Sequence, residues 1–383
     1  MKKAVMYGAG NIGRGFIGKT FSESGYEVCF VDVVEAVVDK LNEDRCYPVK
    51  IVSNEKREEV TVGRVRAVNG MNADAVAAEI AQADIMATAV GVNVLPRIVK
   101  PVCAGLKKRF DETGRPLNII ICENLIDADK YLRRLIEEEM GPEYKEVLDQ
   151  KLGLVEASIG RMVPIMTEEM REGNILKVWV EPYDELPVDK DAFVGELPHL
   201  NNLLPFSPFG FYIKRKLFIH NMGHAMCAYL GWQKGYQYIH ECAADEEIKQ
   251  CVKAAMLDTA DALHRQYGIE LQAIRDNIED LLFRFGNTSL GDTVFRVGRD
   301  PIRKLSSNDR LTGAALYCLS QGISPQHIVV GITAALRYNN AQDEAAVKVQ
   351  ALISEQGMGQ AVKQICGLDD ANELFSQIMR GIG

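Results

Sequence analysis

The sequence predicts an α/β protein in two parts, and two observations support this prediction. Up to Val180, short buried strands alternate with helical patterns, as where Ala4–Tyr7 is followed by apolar residues at helical spacing. Beyond Phe209 the strand patterns almost vanish and helical periodicity dominates. We therefore expect a mostly parallel α/β domain at residues 1–195 and a mainly α-helical domain at residues 196–383.

A glycine-rich turn follows the first predicted strand. The turn consists of Gly8, Ala9, Gly10, Asn11, Ile12 and Gly13. Gly8 permits the tight turn, Gly10 lets a pyrophosphate approach the backbone, and Gly13 lets the next helix lie close to the sheet. The N–H groups at the start of that helix favour phosphates. This context predicts a Rossmann-type dinucleotide-binding domain; the alternative is a turn that only packs a helix on a sheet.

Two further strand ends bear on the cofactor. The second predicted strand ends in Asp32, whose carboxylate can accept both ribose hydroxyls of an adenosine and would repel a 2′-phosphate, so we expect NAD rather than NADP. The strand at residues 84–91 ends in Val90 and Gly91. We expect both to touch NAD, because the carboxyl ends of parallel strands border the cofactor crevice. Tight packing on a neighbouring helix explains them equally well.

Composition limits the kinds of partner. The 383 residues carry a net charge of −9, which argues against nucleic acid or an anionic membrane as the main partner. No apolar run approaches the roughly 20 residues that a membrane span needs, and the N-terminus enters a strand without room for a signal peptide. The nine cysteines are scattered without a CxxC pair. We expect a cytoplasmic monomer with reduced thiols and a small-molecule substrate.

Three other stretches affect the organisation of the chain. We interpret the basic run at residues 107–109 as a solvated helix end, which favours positive charge. Glu123 and Asn124 directly follow a buried strand, so we expect both side chains to point into the catalytic cleft. We interpret the proline-rich, acidic stretch at residues 182–208 as the connection between the domains.

The stretch at residues 216–224 contains candidates for proton transfer. On an α-helix, Lys216, Asn221 and His224 fall within an arc of about 140°. Desolvation and neighbouring positive charge could lower the pKa of the Lys216 amine and make it a usable base. An amphipathic helix with a solvated lysine is the alternative, and His220 falls on the same arc and could be the active imidazole.

Amide and imidazole side chains could serve the same reaction. Asn124 and Asn221 could donate hydrogen bonds to a developing alkoxide, and His224 could hold a substrate hydroxyl. These roles follow from residue type and predicted position.

The pattern Lys-x4-Asn-x2-His, formed by Lys216, Asn221 and His224, resembles the catalytic motif of the polyol-specific long-chain dehydrogenases. The resemblance covers essentially the whole chain and is strongest in GAGNIGRGFIGK at 8–19, TAVG at 88–91, PLNIIICEN at 116–124, KLFIHNMGHA at 216–225 and RVGRDPIRKLSSNDRL at 296–311. It implies an NAD-dependent, metal-independent oxidoreductase. It also implies that Lys216 is the general acid/base, that Asn124 and Asn221 form the oxyanion hole, and that His224 orients the substrate.

The resemblance to the phosphate-specific branch implies interconversion of D-mannitol 1-phosphate and D-fructose 6-phosphate. Arg299, Arg303 and Lys304 are the expected phosphate ligands, because arginine forks suit a phosphate dianion. The alternative is that basic residues of this segment pair with its aspartates, Asp292, Asp300 and Asp309. Alternative functions are a dehydrogenase of an unphosphorylated polyol or a hexuronate, and a non-catalytic NAD sensor.

The chain departs from the family pattern at two positions. The family signature usually carries an aspartate where Gly160 precedes Arg161, and His220 replaces an expected apolar residue. Arg284 and Asn287 resemble a family segment near the substrate mouth.

Overall fold

A computed structural model describes residues 1–382, in two compact units that divide between Gly210 and Phe211. The strands are β1 (Lys3–Tyr7), β2 (Glu27–Asp32), β3 (Cys46–Val52), β4 (Arg57–Gly63), β5 (Val65–Asn69), β6 (Ile85–Thr88), β7 (Leu117–Ile121), β8 (Leu152–Glu156), β9 (Val178–Val180), β10 (Leu186–Asp189) and β11 (Leu203–Phe206). The helices of the first unit are α1 (Lys19–Glu23), α2 (Glu35–Asp44), α3 (Ala73–Gln82), α4 (Leu95–Thr113), α5 (Ala128–Met140), α6 (Lys145–Lys151) and α7 (Glu168–Arg171).

The main sheet of the first unit has six parallel strands in the order β5-β2-β1-β6-β7-β8. The chain moves outward from β1 to one side and then returns to build the other side, so the direction of winding reverses beside β1. Tyr7, at the end of β1, pairs with Val31 of β2 and Thr88 of β6. The carboxyl ends of these strands therefore lie together at the switch point where doubly wound sheets bind ligands. The predicted Rossmann-type α/β fold is confirmed.

Both faces of the main sheet are buried. In β1, Ala4 and Met6 belong to the core on one face, while Val5 and Tyr7 belong to the core on the other. A parallel strand covered on both faces needs apolar residues at every position, which explains the continuous apolar runs in the sequence.

The first unit also contains two small sheets. One has the order β4-β3-β9, and the other pairs β10 with β11 in parallel. β5 leaves the β-rich excursion expected at residues 50–68 and joins the main sheet beside β2. The stretch at residues 182–208, expected to be a connection, contains β10 and β11 and lies within the first unit.

The second unit is helical, as predicted. Its helices are α8 (Gly210–Arg215), α9 (Met222–Gln233), α10 (Ile239–Ala244), α11 (Glu246–Tyr267), α12 (Leu271–Phe285), α13 (Val294–Gly298), α14 (Pro301–Leu305), α15 (Thr312–Ser320), α16 (Gln326–Leu336), α17 (Glu344–Gln356), α18 (Met358–Cys366) and α19 (Glu373–Ile382). α9 is buried on nearly all sides and packs against α10, α11, α13 and α16. Among residues 1–382, no helix combines the length and apolar character of a membrane span.

Two helices contain π-helical turns where the sequence pattern predicted regular α-helix. One turn spans Gly13–Gly18, directly before α1, and the other spans Lys216–Asn221, between α8 and α9. π-helical turns are rare and occur frequently at functional sites. Both turns fall in the segments expected to bind cofactor or substrate.

Arg109 does not lie on a solvated helix end, contrary to the interpretation of the basic run. The side chain is 1% exposed. Its guanidinium donates hydrogen bonds to the carbonyl oxygens of Ala81, Ala83, Arg115 and Pro116, at 2.6 to 3.1 Å. These carbonyls lie at the end of α3 and in the loops that lead into β6 and β7. Arg109 therefore ties together the amino-terminal edge of the main sheet, opposite the edge at which ligands bind.

We predict that Arg109→Met lowers the melting temperature by about 6 to 12 °C. The substitution removes the donor of two buried and two partly buried hydrogen bonds to carbonyls and should cost about 3 kcal/mol. Each kcal/mol shifts the melting temperature of a unit of this size by roughly 2 to 4 °C. Thermal unfolding followed by circular dichroism would measure the change. Lys108→Met, at the neighbouring exposed position, is the control and should change little. Equal melting temperatures for the two variants would contradict the role of Arg109.

Candidate active site

The glycine-rich turn is held by close backbone contacts. Gly8 has a φ of +103°, and its N–H donates to the Val31 carbonyl at 2.8 Å. A Cβ on Gly13 would lie 1.9 Å from the Gly8 carbonyl oxygen, so no other residue fits there without moving the turn. By contrast, a Cβ on Gly10 would meet nothing within 4 Å. The backbone at Gly10 is therefore open to a ligand.

Gly13 brings the helix close to the first strand, as expected, because a Cβ there would also lie 3.5 Å from the Met6 side chain of β1. Gly18 adds a second close approach, where a Cβ would lie 2.4 Å from the ring of Phe30 in β2. Asn11 donates from its side chain to the Pro164 carbonyl at 3.4 Å, and Ile12 packs on the core.

Asp32 is directly coupled to the turn. One carboxylate oxygen accepts the Ala9 N–H at 2.7 Å, and the other accepts the Val34 N–H at 3.0 Å. The side chain is only partly buried at the end of β2. Because an ionised carboxylate can accept about four hydrogen bonds, both oxygens keep capacity for ligand hydroxyls. The two N–H donors hold the carboxylate in place beside the open backbone.

Two buried arginines, Arg14 and Arg161, support the segment after the turn and were missed as candidates. Arg14 is 3% exposed and donates to the Ala9 carbonyl at 2.5 Å; burial lowers the pKa of its guanidinium. Arg161 donates to the Gly15 carbonyl at 3.3 Å and to the Glu181 carbonyl at 2.9 Å. The sequence did contain a signal for Arg14, because a charged residue among glycines and apolar residues indicates burial with a partner.

Gly160 stands where the family signature usually carries an aspartate. A Cβ there would lie 3.1 Å from the ring of Tyr183. An aspartate at this position would therefore require Tyr183 to move.

Glu123 does not serve as the cleft-facing carboxylate that its position suggested. The side chain is 6% exposed and accepts the Thr88 hydroxyl at 2.7 Å and the Val90 N–H at 3.0 Å. Burial raises the pKa of this carboxyl group, and these hydrogen bonds oppose the rise. Glu123 thus fixes the turn after β6, where Gly91 is exposed with a φ of +90°.

The other residues of these strand ends are placed as follows. The Val90 side chain packs on the core and lies beside Gly8. Asn124, one residue beyond Glu123, is exposed.

The π-helical turn changes the geometry of the predicted proton-transfer segment. Lys216 and Asn221 are five residues apart, which places them about 140° apart on an α-helix. The i→i+5 hydrogen bonds of a π-turn widen the helix and bring such residues nearly above one another. His224 follows in the first turn of α9, and all three residues are partly exposed.

His220 lies beside His224 and α12. Its ring centroid is 6.2 Å from that of His224 and 5.8 Å from that of Phe285. Burial lowers its pKa well below the usual value, and the positive charges of Arg284 and other nearby groups lower it further. This lowered pKa favours the neutral form of the His220 imidazole.

His224 is held by an aromatic ring and a carboxylate. Its ring stacks on Phe285, with centroids 4.9 Å apart and planes 12° from parallel. Its Nε2 lies 3.3 Å from Oδ2 of the buried Asp292, whose Oδ1 accepts hydrogen bonds from Arg296. Asp292 was considered only as an ion-pair partner, because sequence spacing gives no sign of its proximity to His224.

Arg284, in the last turn of α12, is buried and pairs with Asp280 at 3.2 Å. Asn287, just beyond α12, is also buried, and its side chain caps the turn that follows. Both were considered candidates for the substrate mouth.

The basic segment, residues 296–311, forms ion pairs with its own aspartates, which was the alternative to a phosphate site. Arg303 pairs with Asp300 at 2.9 Å and with Asp309 at 3.1 Å, and its side chain is 48% exposed. Lys304 is 4% exposed, and its ammonium group donates to the Arg299 carbonyl. Burial lowers the pKa of Lys304 to about 7, and neighbouring arginines add to this effect.

Arg299 itself is exposed, so the expected phosphate ligands divide into two exposed arginines and one buried lysine.

Within residues 1–382, no group of three or more histidine, cysteine, aspartate or glutamate side chains is placed to hold a metal ion.

Comparisons with known proteins identify relatives along the whole chain. The family model of the mannitol dehydrogenase Rossmann domain matches residues 2–202, and that of the mannitol dehydrogenase C-terminal domain matches residues 210–381. A protein of Brevibacillus brevis named mannitol-1-phosphate 5-dehydrogenase is 39% identical over 97% of this chain and 95% of its own length. A protein of Shouchella clausii with the same name is 40% identical over 99% of this chain and 100% of its own.

Two solved structures share the fold. Mannitol 2-dehydrogenase of Pseudomonas fluorescens, solved with NAD and D-mannitol, has a TM-score of 0.79 at 17% identity, covering 100% of this chain and 91% of that one. A D-sorbitol dehydrogenase has a TM-score of 0.81 at 14% identity, covering 100% of this chain and 93% of that one. From the two family models and the sequence relatives, we conclude that the chain belongs to the mannitol dehydrogenase family.

Proposed function

We propose that the chain is an NAD-dependent oxidoreductase that interconverts D-mannitol 1-phosphate and D-fructose 6-phosphate. The observation that carries this proposal is the full-length similarity to curated relatives named mannitol-1-phosphate 5-dehydrogenase, at 37 to 40% identity. Similarity over both domains matters, because one domain alone would indicate only a cofactor or only a substrate.

The fit to NAD rests on the glycine-rich turn and Asp32. The open backbone at Gly10 and the N–H groups at the helix start would receive the pyrophosphate. The Asp32 carboxylate, held by two backbone N–H groups, would accept the ribose hydroxyls and repel a 2′-phosphate. Val90 and Gly91, at the neighbouring strand end, would border the bound cofactor. When bound, NAD accepts the hydride from the reacting carbon.

Lys216 is the proposed general acid/base. In oxidation, its neutral amine takes the proton of the substrate hydroxyl as hydride leaves the same carbon, which leaves a carbonyl, an ammonium and NADH. Asn124 and Asn221 donate hydrogen bonds to the developing alkoxide. Arg215 precedes Lys216 in the chain, and both it and Arg284 add positive charge at His220. Positive charge near Lys216 favours the neutral amine that a base requires.

The proposed phosphate site is the exposed part of the basic segment. Arg299 and Arg303 carry guanidinium groups that suit a phosphate dianion, and both are exposed. Lys304 is the third candidate; its burial and its bond to the Arg299 carbonyl favour a role in holding Arg299.

The first prediction compares two substrates. NADH formation should be readily measured with mannitol 1-phosphate and should be much weaker with mannitol at the same concentration. Replacing Arg299 and Arg303 together by alanine should raise KM for mannitol 1-phosphate by about tenfold or more, since charge-assisted hydrogen bonds are worth roughly 1.5 to 3 kcal/mol. KM for mannitol should stay the same.

Each other outcome of this comparison has a separate meaning. Equal effects of the double variant on both substrates would contradict the phosphate site. Activity with mannitol alone would favour the alternative dehydrogenase of an unphosphorylated polyol. NADH binding without turnover of either substrate would contradict the proposed function.

The second prediction concerns the base. Lys216→Met should lower kcat by about 10²- to 10⁴-fold, because general acid–base catalysis contributes that much, and should leave the dissociation constant of NADH unchanged. Lys348→Met, at an exposed position of α17, is the control and should retain full kcat. Wild-type kcat in Lys216→Met would remove Lys216 from the mechanism and would support a structural role for the π-turn.

A further inference from the structure

Three side chains of the second unit form a connected chain: His224 in α9, Asp292, and Arg296 in α13. His224 Nε2 lies 3.3 Å from Asp292 Oδ2. Arg296 donates from Nε and Nη2 to the other oxygen of Asp292, Oδ1. Arg296 therefore satisfies Oδ1, whereas the approach of His224 Nε2 to Oδ2 is a close contact that falls short of hydrogen-bond geometry.

The burial of Asp292 makes this arrangement costly to break. The residue is 8% exposed, and a buried carboxylate destabilises a protein unless charged or hydrogen-bonding partners surround it. Arg296 supplies a positive charge on one side. The remaining oxygen faces the imidazole, and contacts of this length in unliganded sites commonly tighten when substrate binds.

We propose that Asp292 is a positioning residue that holds His224 in the Nε2–H tautomer. A carboxylate can only accept a hydrogen bond, so the imidazole nitrogen that faces it must carry the proton. The stacking of His224 on Phe285, at 4.9 Å and 12°, fixes the plane of the ring. The other nitrogen, Nδ1, is then unprotonated and can act only as a hydrogen-bond acceptor.

This tautomer determines which substrate atom His224 can hold, and the step rests on the proposed function. The lone pair of Nδ1 accepts from a hydroxyl and repels the oxygen of a ketone. His224 therefore binds a substrate hydroxyl that does not react. This hydroxyl keeps its proton in both the polyol and the ketose form of the substrate. The reacting oxygen is left to Lys216 and the asparagines. Asp292 thereby contributes to the orientation of the substrate without touching it.

A second His–Asp pair in the same unit provides a matched control. His327 Nδ1 lies 3.0 Å from an oxygen of Asp258, and neither residue is part of the proposed site. Asp258→Asn therefore removes the same kind of carboxylate without affecting His224.

The kinetic test is Asp292→Asn, which keeps the size of the side chain but offers an amide donor to His224. We expect kcat/KM for mannitol 1-phosphate to fall by about 10- to 100-fold, as for other residues that orient a functional histidine. NADH binding should be unchanged, and Asp258→Asn should match the wild type. Wild-type kcat/KM in Asp292→Asn would overturn the proposal.

A spectroscopic test does not depend on turnover. In ¹⁵N NMR of histidine-labelled protein, with His224 assigned by His224→Gln, the wild type should show a protonated Nε2 and an unprotonated Nδ1. Asp292→Asn should lose this preference. A protonated Nδ1 in the neutral wild-type imidazole would overturn the proposal. Because the unliganded protein is used, failure of the proposed function would not affect this result.

Discussion

The contact between Gly13 and the Gly8 carbonyl is the constraint on which the first unit depends. With 1.9 Å between that oxygen and a hypothetical Cβ, only glycine lets the helix begin directly after β1. The turn that results exposes the backbone at Gly10 and directs the Ala9 N–H at Asp32, at 2.7 Å. The ends of β1 and β2 are thereby joined through a carboxylate as well as through the sheet. A ligand that meets this edge finds a backbone and an acid that are already in position, which lowers the ordering cost of binding.

Three carboxylates of the candidate sites share a physical arrangement, in which hydrogen-bond donors of the protein hold the side chain in place. Two backbone N–H groups hold Asp32, the Thr88 hydroxyl and a backbone N–H hold Glu123, and Arg296 holds Asp292. Such support restricts the orientations of a functional group before its ligand arrives. These hydrogen bonds also offset the cost of burying the carboxylates of Glu123 and Asp292.

Much of the fold could be predicted from sequence, because apolar periodicity records which faces are buried. The glycine-rich turn and Asp32 were recognisable because their spacing reflects local chain geometry. The π-helical turn at Lys216 was not, since a pattern read at 3.6 residues per turn assumes an α-helix. The burial of Arg109 was not recognisable, because charge runs usually face solvent and two of its carbonyl partners, Ala81 and Ala83, lie 28 and 26 residues away in the chain. The proximity of Asp292 to His224 depends on tertiary packing of α9 and α13 and has no local signal.

We propose that Asp32 makes the carboxyl edge of the main sheet a site for NAD. Fluorescence titration of the wild type and Asp32→Ser with NADH and NADPH is the test. The wild type should bind NADH at least about tenfold more tightly than NADPH, because a 2′-phosphate would face the carboxylate. Asp32→Ser should reduce that preference by weakening NADH and admitting NADPH. Equal or tighter binding of NADPH by the wild type would show that Asp32 does not select NAD.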